Sequence, residues 1–347
     1  MPTSVLTRRS LLSQTAAAVA VAACGTALPG MPSPARRIGM LSTGAALGSD
    51  APPYAAFRDG MRANGFTEVP DYVVDYRFGV FDADLLLRWA RELVALRADV
   101  IVASSTGATQ AARVATSDTP IVMVASHDPV DAGVVLSLAK PGGNVTGQSL
   151  AGAVLMPTQL DYLQEIKPLR RLGYLSPSLP SYGPGYPSVT DAFERSMRSA
   201  AAALGVEVIA PRIRVLGDVS PALAALASEA IDALYLIESP MWFVPGTRRP
   251  IDEIVDFAVR RRLPSMGGQR GYAQAGLLAT YGEARSPADL HRTAARYVAQ
   301  ILRGVPPGDL PIDVPAFFEL VVNAKTAAAM ALEVPRYVLD RAQLVIR

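Results

Sequence analysis

The chain has one cysteine and two histidines in 347 residues. A single cysteine cannot build an internal disulfide framework, and two histidines leave little for acid–base relays or metal chemistry. His127 stands between Ser126 and Asp128, but three neighbours on one loop cannot converge as nucleophile, base and orienter. His291 lacks a His or Cys at helical spacing, which a metal site on a helix would need. A Walker loop, a Gly-x-Ser-x-Gly elbow and a Gly-x-Gly-x-x-Gly turn after a strand are missing too. The expectation is therefore no catalytic residue, no metal and no cofactor. An excess of charge of one sign is also lacking: the formal net charge is +2, and Arg8 and Arg9 account for it. Such a chain has no general attraction to nucleic acid. Past the N-terminus, no apolar run reaches the ~18 residues that suggest a membrane span.

What is present begins with an export signal over residues 1–24. Arg8-Arg9-Ser10-Leu11-Leu12 precedes a small apolar run, Ala16 to Ala23, too short to cross a bilayer alone. Paired arginines before Leu-Leu resemble a twin-arginine signal, with a general secretory signal as the alternative. Cys24 closes the run in Val21-Ala22-Ala23-Cys24-Gly25, which resembles a lipobox. There the thiol is acylated and anchors the mature N-terminus to a membrane. The alternative is cleavage near Ala18-Val19-Ala20 and a soluble periplasmic protein. Residues 25–36, with Gly25, Pro29, Gly30, Pro32 and Pro34, read as a tether. The expected location is the periplasm or cell envelope.

From residue 37 onward short apolar strands alternate with amphipathic helices. Strands at 38–41, 73–76, 99–103 and 121–125 are interleaved with helices at 53–64, 82–97 and 107–116. After the turn Pro141-Gly142-Gly143-Asn144 the pattern restarts. A helix at 157–167 leads to strand 171–175, helix 189–204, strand 206–210, helix 220–230, strand 232–237 and helix 250–262. Strand-like segments follow at 263–266 and 277–281. This alternation predicts two α/β lobes with parallel sheets. Segment 286–303 carries Leu290, Ala294, Tyr297, Val298 and Ile301 on one face and is expected to return to the first lobe, forming a hinge. The predicted division is 37–150 plus about 282–310 for the N-terminal lobe, 151–281 for the C-terminal lobe, and 311–347 packing across both.

In open α/β sheets, ligands sit beyond the carboxyl ends of strands, where hydroxyls and free amides at a helix N-terminus receive an anion. The candidates are Ser42 and Thr43 after the first strand, Ser104, Ser105 and Thr106 after the third, and His127 and Asp128 after the fourth. In the second lobe they are Glu238 and Ser239. One hydroxyl of the Ser-Ser-Thr run can equally be a helix N-cap. Asp128 or Glu238 could hold a ligand ammonium. Tyr182 and Trp242 are candidate aromatic walls. Arg270 lies in a Gly-rich loop whose glycines allow close backbone approach.

Several segments resemble a known family. They are Arg37-Ile38-Gly39-Met40-Leu41-Ser42, Ala56-Phe57-Arg58-Asp59-Gly60, Asp99-Val100-Ile101-Val102-Ala103, Pro120-Ile121-Val122, Lys140-Pro141-Gly142-Gly143-Asn144-Val145-Thr146-Gly147 and Phe318-Glu319-Leu320-Val321-Val322-Asn323-Ala324-Lys325-Thr326-Ala327. They resemble the ABC transporter substrate-binding proteins of tryptophan/tyrosine-type importers. The resemblance implies a type I periplasmic-binding-protein fold, with two Rossmann-like lobes joined by a hinge, and a pocket at Ser42, Ser104 to Thr106, Asp128 and the loop after Ile237. It also implies an ABC permease and its ATPase as partners. The expected function is capture of a small carboxylate- or amino-acid-like ligand by hinge closure. The alternatives are a ligand-sensing lipoprotein feeding a signalling partner and a secreted enzyme using the same cleft.

Overall fold

The computed structural model describes residues 35–44, 46, 48–178, 182, 188–246 and 248–347. The expected signal, Cys24 and nearly all of the tether lie outside them.

Strands β1 (Arg36–Ser42), β2 (Tyr72–Phe78), β3 (Val100–Ser104), β4 (Ile121–His127) and β5 (Val145–Leu150) form one sheet in the order β2-β1-β3-β4-β5. Every neighbouring pair is parallel. Side chains alternate across a strand, so successive residues feed opposite faces. Ile38, Met40, Val100 and Val102 pack on one face with Phe57 and Met61 of helix α1 (Pro52–Ala63). Leu41, Ile101 and Ala103 pack on the other with α2 (Ala83–Ala95) and α3 (Thr106–Ala115). Both faces are therefore apolar, which is why these strands read as continuous hydrophobic runs. Burying each of the large side chains contributes about 1.5–3 kcal/mol.

The second sheet is built from β6 (Arg171–Leu175), β7 (Glu207–Ile209), β8 (Ala233–Leu236), β9 (Ser265–Gly267), β10 (Ala279–Glu283), β11 (Phe318–Asn323) and β12 (Leu344–Ile346), in the order β12-β11-β10-β9-β8-β6-β7. Only the β10–β11 pairing is antiparallel. Helices α4 (Met156–Ile166), α5 (Val189–Ala203), α6 (Val219–Ser228) and α7 (Pro250–Arg261) cover it. A short helix, α8 (Arg270–Gln274), follows β9. The described residues form two α/β units with parallel-dominated sheets.

Between β10 and β11 the chain returns to the first sheet. Helix α9 (Pro287–Leu302) starts at a capping box of Ser286 and Asp289 with Pro287 in its first turn, a strong start signal. Its Leu290, Ala294 and Val298 join the face already occupied by α1. At Gly60 the two helices approach so closely that an added Cβ would lie 2.7 Å from the Arg292 carbonyl oxygen. The final segment departs from expectation: 311–347 does not pack across the lobes as one piece. Ile312 and Asp313 stay on the first lobe, bonded to Leu138 and Gly147, whereas β11, β12 and the short helices α10 (Ala324–Ala329) and α11 (Arg336–Arg341) belong to the second. The chain therefore passes between lobes three times: after β5, after β10 and after Asp313. Arg285 ties these passages together. Its guanidinium contacts Glu283 at 2.9 Å, Asp313 at 2.7 Å and Gln148 at 3.4 Å.

Candidate functional site

A cavity of 660 Å³ opens between the carboxyl ends of the two sheets and is lined by residues of both lobes. In the first sheet the strand order reverses at β1 and β3, where the connecting loops diverge and leave a crevice. Ser42 and Ser104 pair in register at that point, so both hydroxyls reach the cavity wall. Ser42 Oγ accepts the Gly44 amide at 3.2 Å, and Thr43 lies beside it.

Helix α3 aims its N-terminus at the cavity. Ser105 is its N-cap, accepting the Ala108 amide at 3.1 Å, while the Ser105 carbonyl accepts the Thr109 amide. The amides of Thr106 and Gly107 remain the leading donors of the helix, and both residues line the cavity. Thr106 Oγ1 is taken, accepting the His127 amide at 3.0 Å. Ser104 Oγ lies 3.1 Å from Nε2 of His291, whose Nδ1 is 2.8 Å from the Pro287 carbonyl oxygen.

A bulge carries His127 to the cavity. The β4–β5 register shifts between Met123 and Ser126, with Ala125 at φ 57°. The facing Gly147 (φ 125°) has no room for a Cβ, which would sit 2.2 Å from the Met123 carbonyl oxygen; such bulges re-aim the end of a strand. The His127 ring meets Phe193 edge-on at 5.0 Å, and its buried Nδ1 has no partner among the described residues. Glu238 comes from beyond β8 in the other lobe, and its Oε2 is 3.9 Å from His127 Nε2. Gly268 lies directly against it: a Cβ there would sit 1.3 Å from Glu238 Oε1 and displace the carboxyl. Burial pushes the His127 pKa down, with Glu238 opposing; burial pushes the Glu238 carboxyl up, with His127 opposing.

Three of the expected ligand residues lie off the cavity. Trp242 is fully buried in the second-lobe core, and its Nε1 donates to the Ile237 carbonyl at 2.7 Å. It sits in a tight turn, Pro240–Phe243, where consecutive side chains diverge by about 120°, so Phe243 faces the cavity instead. Asp128 Oδ2 accepts the Ala153 amide at 2.9 Å and thus pins the first crossing segment. Tyr182 packs against the first-lobe core, its hydroxyl 3.4 Å from the Ala83 carbonyl. Ser239 and Arg270 do line the cavity, but each has local work. Ser239 caps the turn at 240–243, and Arg270 forms a two-pronged ion pair with Glu319.

The sequence reading missed Tyr54, Phe81, Phe193 and Phe243, the aromatic walls, and also Arg285 and His291. Burial raises the Tyr54 phenol to about 12, so it stays neutral. Chemically, the cavity combines hydroxyls, helix-end amides and aromatic faces with the Glu238 carboxyl from the opposite lobe, while the Glu283 carboxylate at its edge is ion-paired to Arg285.

Known proteins share the family and the fold. The family described as ABC transporter substrate binding protein matches residues 50–346. A tyrosine-binding protein of Clostridioides difficile is 29% identical over 281 residues, covering 80% of this chain and 76% of that protein. A conserved domain protein from Vibrio cholerae superposes with a TM-score of 0.75 at 27% identity, over 89% of this chain and 99% of the other. An ABC domain from Streptococcus pneumonia in complex with L-Trp has the same fold. Its TM-score is 0.73 at 23% identity, over 90% of this chain and 100% of the other. The fold is that of the type I periplasmic binding proteins, and the chain belongs to the ABC transporter substrate binding protein family.

Proposed function

We propose that the chain is the extracytoplasmic solute-capturing subunit of an ABC importer, closing its lobes over a small amino acid or related carboxylate. The observation that carries this reading is that the end of β3 with the α3 N-terminus, and the end of β8 with Glu238, face one 660 Å³ cavity from opposite lobes. A carboxylate is suited to the Thr106 and Gly107 amides, where the helix end favours negative charge. An apolar or aromatic body fits between Tyr54, Phe193 and Phe243, which offer flat faces at little entropic cost. The relatives named for tyrosine binding and L-Trp support that choice. Contacts to both lobes would favour the closed state, which a permease and its ATPase would recognise. The motifs in residues 1–24 support export and membrane attachment through Cys24; the mass of the mature N-terminus tests this directly. For the ligand, a thermal-shift screen of the mature chain against L-amino acids and matched carboxylates should give a clear rise in melting temperature with one class. Replacing Ser104, Ser105 and Thr106 with alanine should abolish it. Uniform silence across the panel would sink the reading.

A further inference from the structure

The contact between Ser104 and His291 joins residues 187 apart in sequence and fixes more than a position. A carbonyl oxygen can only accept a hydrogen bond. Since His291 Nδ1 lies 2.8 Å from the Pro287 carbonyl, Nδ1 must carry the proton. In the neutral ring Nε2 is then a bare acceptor 3.1 Å from Ser104, and it takes the one hydroxyl hydrogen in preference to the Met40 sulfur at 4.0 Å, a much weaker acceptor. The hydroxyl is left with lone pairs only for anything else in the cavity.

The ring is neutral for reasons visible around it. Burial holds its pKa below 6.5, with the Pro287 carbonyl acting in the opposite sense. From α1, Tyr54 packs edge-on at 5.8 Å as a neutral phenol, and the charged Arg58 and Arg62 of that helix pair with Asp50 and Asp59. On α9 itself, Asp289 and Arg292 pair with each other. Besides burial, only the Pro287 carbonyl acts on the ring, and no charged side chain among the described residues does.

We infer that His291 is a positioning residue that makes Ser104 an obligate hydrogen-bond acceptor, so that the cleft reads an α-ammonium there beside a carboxylate at the Thr106 and Gly107 amides. In an α-amino acid the two charges flank one carbon, and Ser104, Thr106 and Gly107 stand together on one strand-to-helix turn at the cavity. A plain carboxylate would leave Ser104 without a donor. The inference rests on the amino acid reading of the cleft and narrows it.

The test is calorimetric titration of the mature protein with L-tyrosine, L-tryptophan, L-phenylalanine, L-leucine and L-alanine, each against its des-amino acid. Wild type should bind every accepted amino acid about tenfold or more tightly than its des-amino partner. In His291→Phe, where Ser104 can turn its hydrogen into the cavity, that ratio should collapse, and Ser104→Ala should collapse it likewise. A loss equal for both partners, or a wild-type ratio near one, overturns the inference while leaving the binding reading intact. Binding of neither series overturns both. Nitrogen-15 NMR of the ring at neutral pH gives a readout that needs no ligand: a protonated Nδ1 is expected, and a protonated Nε2 would overturn the assignment.

Discussion

His127, His291 and Glu238 at the cavity set a pH dependence whose sign can be worked out. Both histidines are held below 6.5 by burial. As pH falls through 6.5 the unfolded chain takes up their protons first, so the stability they contribute is complete above that value and drains away below it. Glu238 works the other way. Burial raises it above 4.5, so its contribution is complete below 4.5 and lost as pH rises through its folded value. As pH falls from 6.5 toward 4.5 the two effects oppose each other. Glu238→Gln removes the offset and the charge that helps His127 protonate, so its melting temperature should fall more steeply than wild type between pH 6.5 and 5. Equal slopes would show that Glu238 stays ionised in that window. Much at this scale was invisible in the sequence. Trp242 and Phe243 are adjacent aromatics, and nothing in their order says which turns to the core. His291 was judged by its neighbours along the helix, whereas its partner is on β3.

Elements were more legible, because apolar period and turn residues are local properties. The expected helices at 53–64, 107–116 and 250–262 each fall within about one residue of the observed spans. Strand β5 was missed for a physical reason: Val145-Thr146-Gly147-Gln148-Ser149-Leu150 is fully buried yet half polar. Its polar groups are satisfied by chain far away, Thr146 by the Leu310 carbonyl and Gln148 by the Leu290 carbonyl. No window of sequence contains that compensation. The packing of α1 on α9 yields a prediction at this scale. A Cβ at Gly60 would meet the Arg292 carbonyl and, at 2.8 Å, the Ala295 Cβ, and backbone cannot yield cheaply. Gly60→Ala should cost about 1–3 kcal/mol by chemical denaturation, and because α9 also places His291, ligand affinity should fall with it. An unchanged denaturation midpoint would mean that the helices separate freely.

At the scale of the molecule, the lobes communicate through three crossing segments and the Arg285 clasp. Glu283 is buried and ion-paired to Arg285, so Arg285→Ala leaves a buried carboxylate unpaired, at a cost of about 3 kcal/mol. It also frees Gln148 and Asp313 from a common partner. Small-angle scattering of the ligand-free variant should show a broader, more open ensemble than wild type, together with a lowered melting temperature. An unchanged profile would place control of the lobes elsewhere. The three crossings also govern the order in which the protein can assemble. A ribosome that has delivered β10 has made all five strands of the first sheet, but not α9, which covers one of its faces, nor the Asp313 backbone that bonds Gly147 and Ser149. The N-terminal half therefore cannot finish folding as it emerges. Its apolar face waits, open to chaperones and to misassociation, until α9 and Asp313 have been synthesised.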